Sequence, residues 1–292
     1  AGNYMTSIDM AGASLSILKL DEELESYLNA PSDAPAFPVS GPAAASEALD
    51  IELAAQAGEV HYGVETPADY AVLGEALTLK NVMYMVDVMC ESAIRNEVPF
   101  CELDSHAGDG DFGMSIAKGF RQLKAEWKSI VTAENLDIAG FLNACSLVIM
   151  EHCGGASGPI WGSAFRAAAR SARGKETLSV SDFAELMQAA VSGIQATGER
   201  SFGRGAVVGD KTLIDALVPC ADAWTENAKK GISWKDGFAA GAEAAMAGAK
   251  STEKIAALMG RAGMVGERSI GWADAGAYGL AVIFADVANG LK

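Results

Sequence analysis

Apolar residues recur at helical spacing along most of this 292-residue chain, and this pattern most restricts what the chain can fold into. Segments that alternate apolar and polar residues, as half-buried strands do, are nearly absent. We therefore predict an all-α fold in which glycine-rich loops join the helices. The clearest helical segments are Lys80 to Asn96, Asn135 to Cys153, Ser181 to Thr197, Trp234 to Ala247 and Ala275 to Ala288. Asp182 and Glu185 are predicted to form a capping box that opens the third of these.

Proline marks a boundary near the start of the chain. Four prolines, at positions 31, 35, 38 and 42, lie among alanine, serine and glycine, which is the composition of an extended linker. We predict a short piece at residues 1–30, a linker at 31–49 and a helical domain at 50–292. The first piece is too short to bury a core by itself, so we expect it to be the end of a domain whose larger part is missing here.

Charge and composition exclude several classes of protein. The chain has 38 acidic and 22 basic residues, a formal net charge of -16, so it would repel a nucleic-acid backbone. Apolar runs stay below the roughly 20 residues of a membrane-spanning helix, and the N-terminus lacks a signal-peptide pattern, so we expect a cytoplasmic protein. The five cysteines lack CxxC spacing, which argues against a disulfide framework or a zinc site and favours buried thiols.

The strongest chemical signal is a loop with three aspartates, Asp104, Asp109 and Asp111, just before a helical segment that starts at Ser115. Three carboxylates in eight residues repel one another unless a cation lies among them, and hard oxygen ligands favour magnesium or calcium. Glycine allows the backbone turns that bring such carboxylates together. The loop contains Gly108, Gly110 and Gly113.

Two other interpretations of this loop compete with a metal site. An EF-hand is excluded because its twelfth position needs a bidentate Glu, whereas Phe120 is twelfth from Asp109 and Ser115 is twelfth from Asp104. A solvated acidic turn is the remaining alternative. The density of glycine and aspartate between two apolar residues favours a packed metal loop instead.

Three further loops carry polar groups at helix boundaries. Gly154 to Gly158, with Ser157, precedes the helical segment Trp161 to Arg173 and could bind an anion or only let two helices pack closely. Gly209 to Thr212 is not a P-loop, because Asp210 separates Gly209 from Lys211. Asp210 and Lys211 are expected to pair with each other, the alternative being that they position a nucleotide.

The last loop-like segment, residues 260–277, holds two arginines in an otherwise acidic chain. Arg261 and Arg268 could bind phosphate or pair with Glu267 and Asp274, and the residues alone leave both open. His106 lies inside the aspartate loop and could donate a hydrogen bond behind the metal ligands.

Taken in order, four motifs resemble the L domain of dihydroxyacetone kinases, over about residues 80 to 290. They are Leu103 to Gly113, Gly154 to Pro159, Gly209 to Leu217 and Gly260 to Ser269. Residues 2–16, followed by the linker, also resemble the C-terminal end of the K domain of the same kinases. This resemblance implies an antiparallel barrel of eight helices, with ATP at one end and its phosphates bridged by two magnesium ions.

The resemblance also implies which residues form the site. Asp104, Asp109 and Asp111 match the metal ligands. The nucleotide would be bound by His106, Gly110, Gly113, Gly155, Ala156, Ser157, Gly158, Thr212, Leu213, Gly260, Arg261, Asp274 and Gly276. In the family the K domain binds the ketone through a histidine and supplies the base, and nothing in this chain matches that part.

The activity implied is ATP-dependent phosphorylation of a short-chain ketose or aldose, as in a glycerone kinase of glycerol metabolism. The acceptor would be bound by a K domain of the same or another polypeptide, and a homodimer is expected. One alternative is a carrier subunit whose bound ADP is re-phosphorylated by a phosphotransferase protein. Another is a non-enzymatic helical binding module with structural calcium.

Overall fold

The structure, a computed structural model, describes residues 18–34, 37–39, 63–260 and 262–292. The chain divides into two compact units, Ala1–Val60 and His61–Lys292. In the first unit, α1 spans Glu22–Asn29, and the Asp21 side chain caps it by accepting the N–H of Leu24. Two short antiparallel strands follow, β1 (Ser32–Ala34) and β2 (Phe37–Val39). The linker composition did not predict this pairing.

The second unit is helical. Eight of its described helices have 15 or more residues, and the short α3 follows the first of them. They are α2 (Leu79–Arg95), α3 (Glu97–Asp104), α4 (Phe112–Val131), α5 (Ile138–His152), α6 (Ser157–Ser171), α7 (Val180–Phe202), α8 (Ile214–Lys230), α9 (Trp234–Ser251) and α10 (Ala275–Gly290). The predicted all-α class is confirmed. None of the described helices is both long and apolar enough to cross a membrane.

The eight long helices form a closed ring. Each packs against the next one in the sequence, with α3 bridging α2 to α4, and α10 packs back on α2. At the seam, the N–H of Leu73 donates to the carbonyl of Lys292 (2.8 Å) and the N–H of Lys292 donates to the carbonyl of Ala71 (2.9 Å). The ring is the predicted antiparallel barrel. It surrounds an apolar cavity of about 130 Å³, lined among others by Met85, Phe165 and Trp224.

The short connections place four loops together. Because consecutive helices run antiparallel, every second connection lies at the same end of the barrel. The loops 105–111, 153–156, 203–213 and 252–274 share one end. At the opposite end, β3 (Leu77–Thr78) pairs with β4 (Thr177–Leu178), just before α2 and α7 begin.

A buried ion pair fixes the start of this unit to the barrel. The Nζ of Lys124 on α4 lies 2.5 Å from Oδ1 of Asp87 on α2, and both side chains are almost fully buried. The other Asp87 oxygen accepts the backbone N–H groups of Glu65 and Thr66, and Lys124 also donates to the carbonyl of Gly63. Residues 63–66 are thereby held by buried, charge-assisted hydrogen bonds.

Two details of the helix predictions were wrong. The capping box of α7 is formed by Ser179 and Asp182, not by Asp182 and Glu185. The helix predicted to begin at Trp161 begins at Ser157. In α7 the aspartate accepts the N–H of the capping serine, which Glu or Gln does in the commoner form of the motif.

Candidate functional site

The aspartate loop connects α3 to α4, and its first aspartate shapes it. Asp104 ends α3, and its Oδ2 accepts the backbone N–H groups of Asp111 (3.1 Å) and Phe112 (3.3 Å), where α4 begins. The N–H of Gly108 donates to the carbonyl of Asp104 at 2.6 Å. A Cβ at Gly108 would overlap the Asp104 carboxylate, so any other residue there would displace that side chain. The loop therefore folds around the Asp104 side chain.

The three predicted metal ligands lie together. One carboxylate oxygen from each of Asp104, Asp109 and Asp111 lies within 4.8 Å of the others. Burial raises the pKa of the Asp111 carboxyl, the charge of Asp104 raises it further, and a hydrogen bond with Ser115 opposes both. Clustered carboxylates whose charges repel one another form a donor set that fits a hard divalent cation.

Two positions of this loop require glycine, each for a different reason. Gly110 has a φ of 76°, a left-handed conformation that side chains rarely adopt. Gly113, on the first turn of α4, faces α3, and a Cβ there would overlap the carbonyl oxygen of Glu97. This close approach sets the angle at which α4 leaves the aspartate loop.

The predicted anion loop lies beside the aspartate loop. The N–H of Gly154 donates to the carbonyl of Ser115 on α4 at 3.0 Å, and a Cβ at Gly154 would come 2.6 Å from the Ser115 Oγ. No side chain caps the N-terminus of α6. Among the described residues, the N–H groups of Gly155, Ala156 and Gly158 have no acceptor. Unpaired N–H groups at a helix N-terminus favour an anion.

Replacing Ser157 by leucine should weaken magnesium-dependent binding of AMP-PNP by about tenfold or more. The leucine side chain would occupy the start of α6, where the phosphates must come close to the backbone, and would remove a hydroxyl donor. Titration calorimetry with saturating magnesium measures the effect. Ser181→Leu, in the exposed first turn of α7 at the other end, is the control. If the Ser157 variant binds AMP-PNP with unchanged affinity, the loop does not bind phosphate and serves only to let two helices pack closely.

The two other predicted nucleotide segments also meet. Thr212 and Leu213 precede α8, and Leu213 lies against Gly276 in the first turn of α10, where a Cβ would come 3.4 Å from the Leu213 Cβ. Asp274 caps α10 by accepting the N–H of Ala277 at 2.8 Å. Its own N–H donates to the hydroxyl of Thr252. The starts of α8 and α10 thus form one wall at the loop end of the barrel.

Asp274 lies in an environment that opposes its charge. Burial raises its pKa to about 7, and the charges of Asp215 and Asp104 add to this, whereas the N–H of Ala277 and the charge of Lys211 oppose it. The contribution of Asp104 indicates that the start of α10 lies close enough to the aspartate loop for their charges to interact. A cation at the aspartate loop would favour the ionised form of Asp274.

The raised pKa predicts how stability changes with pH. The folded state holds the Asp274 proton more tightly than the unfolded state, so this contribution to stability is full below about pH 4 and is lost as the pH rises through about 7. Asp274→Asn stays neutral and keeps the cap. In EDTA at pH 8 we expect it to exceed the wild type in unfolding free energy by on the order of 2 kcal/mol.

Urea unfolding at pH 4.5 and pH 8 measures this difference. The gap should be much smaller at pH 4.5, where the carboxyl of the folded wild type is protonated. Asp69→Asn removes an exposed carboxylate elsewhere and should show no such pH dependence. A gap of the same size at both pH values would contradict the raised pKa.

Asp210 and Lys211 do not pair with each other, and that prediction was wrong. Asp210 pairs with both terminal nitrogens of Arg204, at 2.5 and 2.8 Å. Lys211 has a φ of 61° and points the other way, into the protein. Its buried ammonium lies within hydrogen-bond distance, 2.6–3.1 Å, of four carbonyl oxygens that share its three N–H donors, those of Thr252, Ile255, Ser269 and Trp272.

Lys211 therefore organises the loop between α9 and α10. Burial lowers the pKa of its ammonium, while the charges of Asp274, Glu253 and Asp215 raise it. The four carbonyls come from residues spread over the loop, so one side chain fixes both of its ends. A charged donor with this many acceptors replaces much of the water that it lost on burial.

An aromatic contact that sequence reasoning missed joins this loop to the aspartate loop. The rings of His106 and Trp272 are stacked, with centroids 3.6 Å apart and planes at 6°. A tryptophan and a histidine 166 positions apart give no local signal. His106 is stacked on a ring here, and its predicted role as a hydrogen-bond donor behind the metal ligands stays a prediction.

Gly260, Arg261 and the five cysteines complete the set of residues singled out from the sequence. Gly260 lies in the loop after α9 with a φ of 69°. Arg261 falls outside the described residues, so its predicted phosphate contact stays a prediction. Of the five cysteines, four are buried, as expected, and Cys101 is partly exposed.

Comparison with known proteins gives the family of this chain. The model of the DAK2 domain matches residues 106–289. D-erythrulose kinase of Mycolicibacterium smegmatis is 31% identical over 290 residues, 99% of this chain and 48% of that protein. The ADP-binding subunit DhaL of a PEP-dependent dihydroxyacetone kinase of Listeria innocua is 33% identical over 190 residues, 65% of this chain and 84% of the subunit.

The fold has solved counterparts. The dihydroxyacetone kinase of C. freundii in complex with AMP-PNP and Mg2+ aligns with a TM-score of 0.54 and 21% identity, covering 92% of this chain and 42% of that one. This chain spans about half the length of the erythrulose kinases that it matches. Because the family model covers more than half of the chain, the chain belongs to the DAK2 domain family.

Proposed function

We propose that this chain is the ATP- and magnesium-binding part of a kinase that transfers the γ-phosphate of ATP to a short-chain ketose or aldose. The observation that carries the proposal is the cluster of Asp104, Asp109 and Asp111, which lies beside the uncapped start of α6. Carboxylates would hold the metal, and backbone N–H groups would bind the phosphates. Phosphoryl transfer depends mainly on positioning and on neutralising charge, which such groups supply.

Different residues would bind the metal, the phosphates and the nucleoside. The three aspartates would hold magnesium, two ions being expected, and the metal would neutralise phosphate charge. Gly155, Ala156 and Gly158 would donate hydrogen bonds to phosphate oxygens, with Ser157 adding its hydroxyl. Thr212, Leu213 and Gly276 would lie against the nucleoside. His106 of the aspartate loop and Trp272 of the loop after α9, stacked on each other, would close the site.

A separate K domain would bind the acceptor at the loop end of the barrel. Large apolar side chains are exposed there: the relative exposure of Met264 is 91%, of Leu258 66% and of Trp272 44%. Val207 and Val208, both 53% exposed, precede α8 at the same end. Exposed apolar groups around a polar site are typical of a surface that another domain covers. The homodimer, the cytoplasmic location and a place in glycerol metabolism stay predictions.

The relatives support two kinds of phosphate donor. Proteins named erythrulose kinase match nearly the whole chain, whereas those named ADP-binding subunit match about two thirds of it. The longer matches favour free ATP as the donor, and an erythrulose or dihydroxyacetone as the acceptor. The alternative is a carrier that keeps ADP bound while a phosphotransferase protein re-phosphorylates it.

Thermal unfolding tests the nucleotide assignment. AMP-PNP with magnesium should raise the melting temperature with the logarithm of ligand concentration, adding about 2.7 kcal/mol of stability at 100 times the Kd, and EDTA should abolish the effect. Stabilisation by calcium alone, with none from nucleotide, would support the binding module instead. Gel filtration after loading with ADP separates the two kinases, because only the carrier should retain the nucleotide.

A further inference from the structure

Three arginines form a basic face at the end of the barrel away from the aspartate loop. Arg166, Arg170 and Arg173 follow one another at intervals of four and three residues, which puts them on one side of α6 and its C-terminal turn. All three are exposed. Within the described part of the chain, none of them forms an ion pair or donates a side-chain hydrogen bond. Three unpaired guanidinium groups are unexpected in a chain with a net charge of -16.

These arginines line a pocket between α6 and the start of α5. The pocket has a volume of about 340 Å³, within the range of small-molecule sites. Its polar lining also includes Asn143 and Asp137. We call it the distal arginine pocket. About 13 residues of helix separate Ser157 from Arg170, which is roughly 20 Å, so the pocket is distinct from the nucleotide site.

The charges around the pocket favour a dianion. Asp137 is its single acidic residue, and this carboxylate already accepts the N–H of Gly140 at 2.6 Å as the cap of α5. Three guanidinium groups against one carboxylate leave two uncompensated positive charges. The N-terminus of α5 adds a partial positive charge on the same side.

We propose that the distal arginine pocket binds the phosphate group of a small phosphate monoester. Such a group carries between one and a half and two negative charges at neutral pH and offers three acceptor oxygens. Guanidinium groups bind phosphate through two parallel hydrogen bonds, which a lysine cannot provide. The proposal does not depend on the kinase assignment, because neither the aspartates nor the loop before α6 contributes to this pocket.

Calorimetric titration of the whole chain with inorganic phosphate and with glycerol 3-phosphate, in EDTA, tests the proposal. Arg166→Gln/Arg170→Gln/Arg173→Gln should weaken the binding of both probes by about tenfold or more. Lys128→Gln/Lys230→Gln/Lys235→Gln removes three charges from exposed sites elsewhere and should leave it within about twofold. Circular dichroism checks that each variant folds.

Asp137→Asn is expected to raise the affinity for both probes, whereas the arginine variant lowers it. Asparagine caps a helix as well as aspartate does, so α5 is retained while the one repulsive charge is removed. This variant should bind both probes severalfold more tightly, a gain that misfolding cannot imitate. The proposal is overturned if the wild type binds neither probe, if the lysine variant loses as much affinity as the arginine variant, or if Asp137→Asn brings no gain. Binding of inorganic phosphate but not of the ester would overturn the ligand class.

Discussion

Replacing Asp109 by alanine is expected to reduce magnesium-dependent ATP binding by at least about 100-fold while the helix content stays unchanged. Asp109 is the exposed member of the three-aspartate cluster. Asp104, in contrast, holds the loop together through the N–H groups of Asp111 and Phe112, so its loss would also disturb the backbone. Removing Asp109 therefore takes away one of the proposed metal ligands without opening a cavity in the core.

Calorimetry with AMP-PNP, at fixed magnesium and again in EDTA, measures this effect. Asp69→Ala removes an exposed carboxylate from the opposite end of the barrel and should bind like the wild type. Circular dichroism should be the same for all three proteins. If the Asp109 variant keeps its magnesium-dependent affinity, these aspartates do not hold the metal.

The chain of residues 1–292 alone is expected to bind ATP but to phosphorylate dihydroxyacetone at least about 10⁵-fold more slowly than with an added K domain. An acceptor hydroxyl must be held in line with the phosphate, and the loss of such positioning costs on the order of 7 kcal/mol of barrier. The two described histidines are not placed to bind a ketone. His106 is stacked on Trp272, and His152 lies 4.0 Å from Glu126.

A coupled assay with ATP, magnesium and dihydroxyacetone, run with and without a separately expressed K domain, measures the difference. Erythrulose serves as the second acceptor, because relatives carry that substrate in their names. Full turnover by the chain alone would show that it has its own acceptor site. Asp109→Ala should remain inactive even with the K domain present.

Most helices could be predicted from sequence, because an amphipathic helix shows its buried face in the spacing of apolar residues. Helices α3 and α8 were not predicted, and α8 contains a proline in its interior, Pro219. Pro219 cannot donate to the carbonyl of Asp215, four residues earlier. Gly248 of α9 packs directly against that carbonyl. Tertiary packing thus stabilises α8 although Pro219 would be expected, from the local sequence alone, to break the helix.

The candidate site could be predicted where its residues are close in sequence. The three aspartates lie within eight positions, and the run of small residues before α6 indicates a loop there. The partners of Lys211 could not be predicted, because they are backbone carbonyls 41 to 61 positions away and carry no sequence signature. Sequence adjacency alone suggests that Asp210 and Lys211 pair with each other. They do not, because the left-handed backbone of Lys211, with a φ of 61°, points the two side chains in different directions.

The closed ring makes the order of the helices cyclic. Each helix touches its two neighbours in the ring, and the hydrogen bonds of Lys292 with Leu73 and Ala71 bring the start of the barrel and the end of α10 side by side. A short connector could join them there, at the end away from the aspartate loop. New ends could then be opened at Gly174, an exposed turn between α6 and α7. Such a circular permutant would keep every helix contact, so the architecture does not depend on which helix comes first.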